Sequence, residues 1–74
     1  MKPSIGRIVR YIVPEHMSKA TAGEQRAAII TRVHSETCVN LFVYFDGDGV
    51  ENGRVTSVCF GTEPGQCMWP ERVQ

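Results

Sequence analysis

The chain carries no surplus of either charge: eight basic and eight acidic residues cancel to a formal net charge of zero. A general nucleic-acid binder ordinarily shows excess positive charge, so this balance argues against that class. No apolar run approaches the roughly eighteen residues of a membrane-spanning helix. The N-terminal stretch also lacks an apolar segment of signal-peptide length. Cysteine is scarce: Cys38, Cys59 and Cys67 are odd in number and show no paired spacing, which argues against a disulfide framework. Neither an internal repeat nor a low-complexity segment is present. Together these absences predict a soluble chain of the cytoplasm, with reduced thiols and no membrane partner.

What remains is short and ordinary in composition. Seventy-four residues leave room for one domain, 1–74, and 42% hydrophobic with 22% charged residues belongs to a folded protein. A domain of this size buries only about 60% of the surface of its unfolded chain, so it usually needs a disulfide, a metal or a partner subunit as a staple. Six of the eight cations are Arg, the residue suited to bidentate recognition and to interfaces.

The organising stretch is Val39-Asn40-Leu41-Phe42-Val43-Tyr44-Phe45, which runs directly into Asp46-Gly47-Asp48-Gly49. Apolar, β-branched and aromatic residues ending in a turn-forming cluster predict a strand from Cys38 to Phe45. Its alternation sends Val39, Leu41, Val43 and Phe45 inward and Asn40, Phe42 and Tyr44 outward. A first strand is predicted from Ile5 to Val13, with Val9, Tyr11 and Val13 on one face and Ile8 and Ile12 on the other; Pro14 ends it. Pro14 to Arg26 reads as a long exposed loop. Ala27 to His34 forms the second strand, with Ile29, Thr31 and Val33 on one face and Ala28, Ile30, Arg32 and His34 on the other. Arg54 to Phe60 forms the fourth, with Thr56, Val58 and Phe60 inward. Cys67-Met68-Trp69-Pro70 supplies a last short strand or a helical turn, with Trp69 capping the core. Four to five antiparallel strands with turns between them indicate an all-β fold, a small barrel.

Ile5-Gly6-Arg7-Ile8-Val9, Ala28-Ile29-Ile30-Thr31-Arg32-Val33, Val39-Asn40-Leu41-Phe42-Val43, Pro64-Gly65 and Met68-Trp69-Pro70-Glu71 together carry a resemblance. The chain resembles a set of short proteins encoded by tailed bacteriophages and prophages, over nearly its whole length apart from the loop of Pro14 to Gln25. The resemblance implies an SH3-like barrel and little about activity, since those proteins mostly carry no assigned function. In that set the Trp is commonly flanked by further aromatic or His residues, whereas Cys67 and Met68 precede it here.

Several constellations compete with plain packing. His34-x3-Cys38 and Cys59-x7-Cys67 lack the tight pairs that zinc uses, and Cys38 and Cys59 read better as small apolar packing residues. Nothing beside a Cys signals an activated nucleophile, so no enzyme activity and no cofactor is expected. Asp46, Asp48 and Glu51 do not follow the calcium-loop pattern, because Val50 and Glu51 occupy its fifth and sixth positions; Asp-Gly repeats are turn chemistry. The remaining candidate is a recognition surface of Phe42, Tyr44 and Trp69 with Arg7, Arg10, Arg32 and Arg54. Aromatics and Arg concentrate at the energetic centres of interfaces, and an outward Phe42 and Tyr44 invite cover. The expected role is a phage or prophage accessory protein that binds a protein partner and self-associates. One such role is inhibition of a host factor, a defence system among them. A structural virion component (head–tail or decoration protein) is the alternative, and a nucleic-acid or nucleotide binder the third.

Overall fold

A computed structural model describes residues 2–46 and 50–70. Five strands follow in chain order: β1 (Ile8–Ile12), β2 (Gln25–Ser35), β3 (Cys38–Val43), β4 (Gly53–Cys59) and β5 (Cys67–Met68). They form one antiparallel sheet in the order β4-β3-β2-β1-β5, curled into a half-barrel. The two outer strands are drawn together where Phe60 bridges Cys67 and the Gly61 N–H donates to the Cys67 carbonyl at 2.9 Å. This is the small all-β barrel expected from the strand pattern, and β5 is a strand rather than a helical turn. Among the described residues no helix is long and apolar enough to cross a membrane.

The core lies inside the curl. Val9, Tyr11 and Val13 from the first strand region meet Ala28 and Ile30 of β2, Val39, Leu41 and Val43 of β3, Phe45, Val58 and Cys67. The inward set expected for β3 is buried throughout, because a period of two can send only one face to the core. Phe45 stays in the core although β3 ends at Val43; its N–H donates to the Asn52 side chain at 2.8 Å, which closes the β3–β4 connection.

Several boundaries and orientations differ from expectation for local reasons. β1 begins at Ile8 rather than Ile5, because Gly6 takes a φ of 92° in a turn. Ile8 stays 59% exposed while Ile12 is buried, its backbone paired with Gly65 and Gln66. β2 starts earlier, at Gln25, and loses simple alternation at two register shifts, between Ile30 and Arg32 and between Val33 and Ser35. On β4, Thr56 is exposed rather than inward. A register shift opposite Asn40 leaves Thr56 and Ser57 facing one partner residue, and Ser57 adopts a φ of 55°. The loop before β2 is less exposed than expected. Pro14 and Ser18 are buried, and Met17 packs on the core with its sulfur accepting from the Tyr11 hydroxyl at 3.8 Å. Cys59 is exposed and Cys38 half-buried, so the cysteine that packs into the core is Cys67 instead. Asp48 of the calcium reading and Glu71 of the resemblance lie outside the described residues.

Candidate functional site: the outer face of the sheet

Residues directly opposite each other in an antiparallel ladder project to the same face. Ile8 pairs with Ile29, Ile29 with Phe42, and Phe42 with Arg54, so a single row crosses four strands on the side away from the core. Beside it runs a second row. Met68 pairs with Arg10, Arg10 with Ala27, and the Ala27 carbonyl accepts from the Tyr44 N–H at 3.0 Å. Phe42 and Tyr44 meet edge to face, with ring centroids 5.2 Å apart. Tyr44 is 43% exposed, whereas Phe42 is half-buried among its row neighbours, less open than alternation alone implied. The outcome is an apolar stripe of Ile8, Ile29, Phe42 and Tyr44 with Arg54 at one end and Arg10 alongside. An open depression of about 390 Å³, bordered by Ile8, Arg10, Gln25, Ala27 and Pro70, continues it toward β5. There Arg10 donates to the Gln25 side chain at 3.2 Å.

Arg32 sits farther along the same face, opposite Asn40. The Asn40 side-chain oxygen accepts the Ser57 N–H and bonds the His34 ring nitrogen Nε2, both at 2.9 Å. An oxygen already accepting a backbone N–H requires that Nε2 carry the proton. His34 is the extra residue of one register shift and Ser57 belongs to the other, so Asn40 ties two irregular strands to β3. The cluster contains Ser, His and Asn, but Ser57 contributes its backbone N–H to Asn40, so the group serves strand geometry.

The remaining two residues singled out from sequence sit elsewhere. Trp69 stacks on Phe60 with centroids 5.1 Å apart and an interplanar angle of 28°, and both pack against the core. The Arg7 guanidinium lies 5.6 Å from the Trp69 ring centroid, within cation–π range. Arg7 and Trp69 therefore form a second group at the barrel closure, apart from Phe42, Tyr44, Arg10, Arg32 and Arg54. Sequence reasoning missed Ile8 and Ile29 as members of the outer row, although the two-faced β1 signalled an apolar outer surface. It also missed Arg26, which donates to the Phe45 carbonyl at 3.3 Å and pairs with Glu24 at 3.3 Å.

Two groups titrate away from their ordinary range. Burial, reinforced by the neighbouring Cys59 and Cys38 thiols, pushes the Cys67 thiol up to about 11. Burial, and then the nearby Cys67, raises the Tyr11 phenol. Both favour the neutral form, the behaviour of inert core groups rather than of nucleophiles. Among the described residues no three His, Cys, Asp or Glu side chains gather as a metal would require.

In comparisons with known proteins, no family model, no curated protein and no solved structure matches the chain.

Proposed function

We propose that this chain is a non-enzymatic binding protein that engages a protein partner, a second copy of itself among them, through the outer face of its sheet. The observation that carries the reading is the unbroken row Ile8–Ile29–Phe42–Arg54 with Tyr44 beside it. Apolar rings bordered by Arg are the composition of an interface centre, and among the described residues Ile8 and Tyr44 stay exposed there. The resemblance to short phage and prophage proteins supports an accessory role in an infected cell, with a host factor as the partner. Assembly into a virion through the same face is the second reading, favoured by the exposure of Ile8 and Tyr44, which suits contact between copies. Arg10, Arg32 and Arg54 share the face, yet the chain's zero net charge makes nucleic acid the weakest of the three occupants.

The test uses wild-type protein and the double variant Ile8→Ser/Tyr44→Ser. Light scattering and capture from host lysate are expected to show self-association or a stoichiometric partner for the wild type, lost in the variant. A wild type that stays monomeric at high concentration and captures nothing overturns the proposal. Mass spectrometry of purified virions separates a structural component, which must be present there, from an accessory one.

A further inference from the structure

The three thiols, set aside in the sequence as unpaired, are not scattered in space. Cys38, the first residue of β3, stands directly opposite Cys59, the last residue of β4. The type of pairing follows from the next rung: the Phe60 N–H donates to the Thr37 carbonyl at 3.1 Å. In an antiparallel ladder a bond from the residue after one member to the residue before the other makes the enclosed pair a narrow, non-hydrogen-bonded one. Such a pair has its Cα atoms about 4.5 Å apart and its side chains on one face. A disulfide spans Cα separations of about 4.4–6.8 Å, so the bond can form here without moving either strand far.

We propose that Cys38 and Cys59 form a reversible cross-strand disulfide by exchange with a low-molecular-weight disulfide of the glutathione class. Cys59 is the exposed member, so it is the one a soluble disulfide reaches. Its thiolate attacks one sulfur of the small disulfide; the S–S bond breaks, the other sulfur leaves as a thiolate that takes up a proton, and the attacked half stays on Cys59 as a mixed disulfide. The Cys38 thiolate then attacks the Cys59 sulfur and expels the second small thiol. Two protein thiols are oxidised, one small disulfide is reduced to two thiols, and no other oxidant is needed. Cys67 is shut out of this chemistry by its burial and its protonated state, although its thiol feels both other sulfurs. The bond would close the open end of the β3–β4 hairpin, one residue before Phe60 draws β4 toward β5. It would thus supply the staple that a domain of this length ordinarily needs. Exposure makes it a labile bond, suited to forming and breaking with the redox state of its surroundings.

The experiment equilibrates the full chain with reduced and oxidised glutathione at graded ratios, quenches with an alkylating agent, and reads intact mass and proteolytic peptides. The expected result in oxidising buffer is a monomer that takes up two fewer alkyl labels than the reduced chain and, labels apart, is about 2 Da lighter, with a cross-linked peptide pair carrying residues 38 and 59 and full reversal by dithiothreitol. Cys38→Ser should instead stop at a glutathione adduct on Cys59. The proposal is overturned if both thiols remain alkylatable in oxidising buffer, if the link joins residue 67 or two chains, or if the wild type accumulates only the adduct. The readout does not depend on the outer-face reading, so either can fail alone.

Discussion

The molecule contains two aromatic pairs of nearly equal spacing in opposite surroundings. Phe42 and Tyr44 meet at 5.2 Å on the outer face; Phe60 and Trp69 meet at 5.1 Å against the core, with Arg7 over the Trp ring. Ring chemistry does not separate them. Strand parity does. Leu41, Val43 and Phe45 take the inward places on and beyond β3, which leaves the outward places to Phe42 and Tyr44. Val58 and Cys67 point inward, so Phe60 and Trp69, each two residues farther on, fall on the core side as well. One pair packs at the closure of the barrel, and the other lies on the outer face of the sheet.

Truncating the closure is therefore the most damaging way to test the contrast. Trp69→Ala removes a ring that packs on Phe60 and the core, and is expected to cost about 3 kcal/mol, the low end for large aromatic truncations because Trp69 is only half-buried. For a small domain that is a large part of the whole stability. Urea unfolding followed by circular dichroism measures it. A loss no greater than that of Tyr44→Ser would erase the distinction between the pairs.

Alkali probes the same closure without a change of side-chain volume. Cys67 bridges Phe60, and its thiol is raised from about 9 to about 11, chiefly by burial. Below pH 9 the thiol is protonated in folded and unfolded chains alike, and its contribution to stability is fully present. As pH rises from about 9 to 11 the unfolded chain gives up the proton first, so stability falls, by about 2 kcal/mol at most from this group. Tyr11, raised by burial, adds a loss of the same sign. Denaturant midpoints measured across that range should fall steadily for the wild type and less for Cys67→Ala; equal slopes would detach the effect from Cys67.

A smaller effect shows that the outer face is not uniformly idle. Asn40→Ala removes the oxygen that accepts from His34 and from the Ser57 N–H. Its expected cost is about 1 kcal/mol, because the freed N–H is near water and can be partly resolvated. Hydrogen exchange should quicken first at Ser57. Unchanged protection there would mean that the left-handed Ser57 is held by the strands without Asn40.

The ease of reading the chain in advance tracks how local each cause is. β3 was legible to the side chain, because Val39, Leu41, Val43 and Phe45 form an unbroken alternation and every one of them is buried. Strand number and the outward Tyr44 followed from the same periodicity. The inward placement of Thr56 failed at a bulge, and bulges leave no apolar signature: the deciding contact is an amide oxygen on another strand. The site was legible only as composition. Seven residues were named; five share the outer face, while Arg7 and Trp69 sit at the closure, because the curl of the sheet separates positions that a residue list cannot. Ile29 completed the row only once its register against Ile8 and Phe42 was known. The same holds for Cys38 and Cys59, twenty-one positions apart in the chain and opposite in the ladder.

The smallest expected stability change is the most informative about function. Tyr44 is 43% exposed and carries its ring contact to Phe42 on the open side of the sheet, so Tyr44→Ser should alter stability by no more than about 0.5 kcal/mol. If the outer face is where a partner sits, the same substitution should weaken association at least tenfold, since rings at interface centres carry far more binding energy than folding energy. Trp69→Phe provides the opposite control, because it keeps an aromatic ring over Phe60 and leaves the outer face untouched. It should lower the denaturant midpoint while association, measured on the folded fraction, stays at the wild-type level. A Tyr44 variant that loses both fold and association, or neither, would mean that parity alone does not divide the two pairs into a structural one and a recognition one.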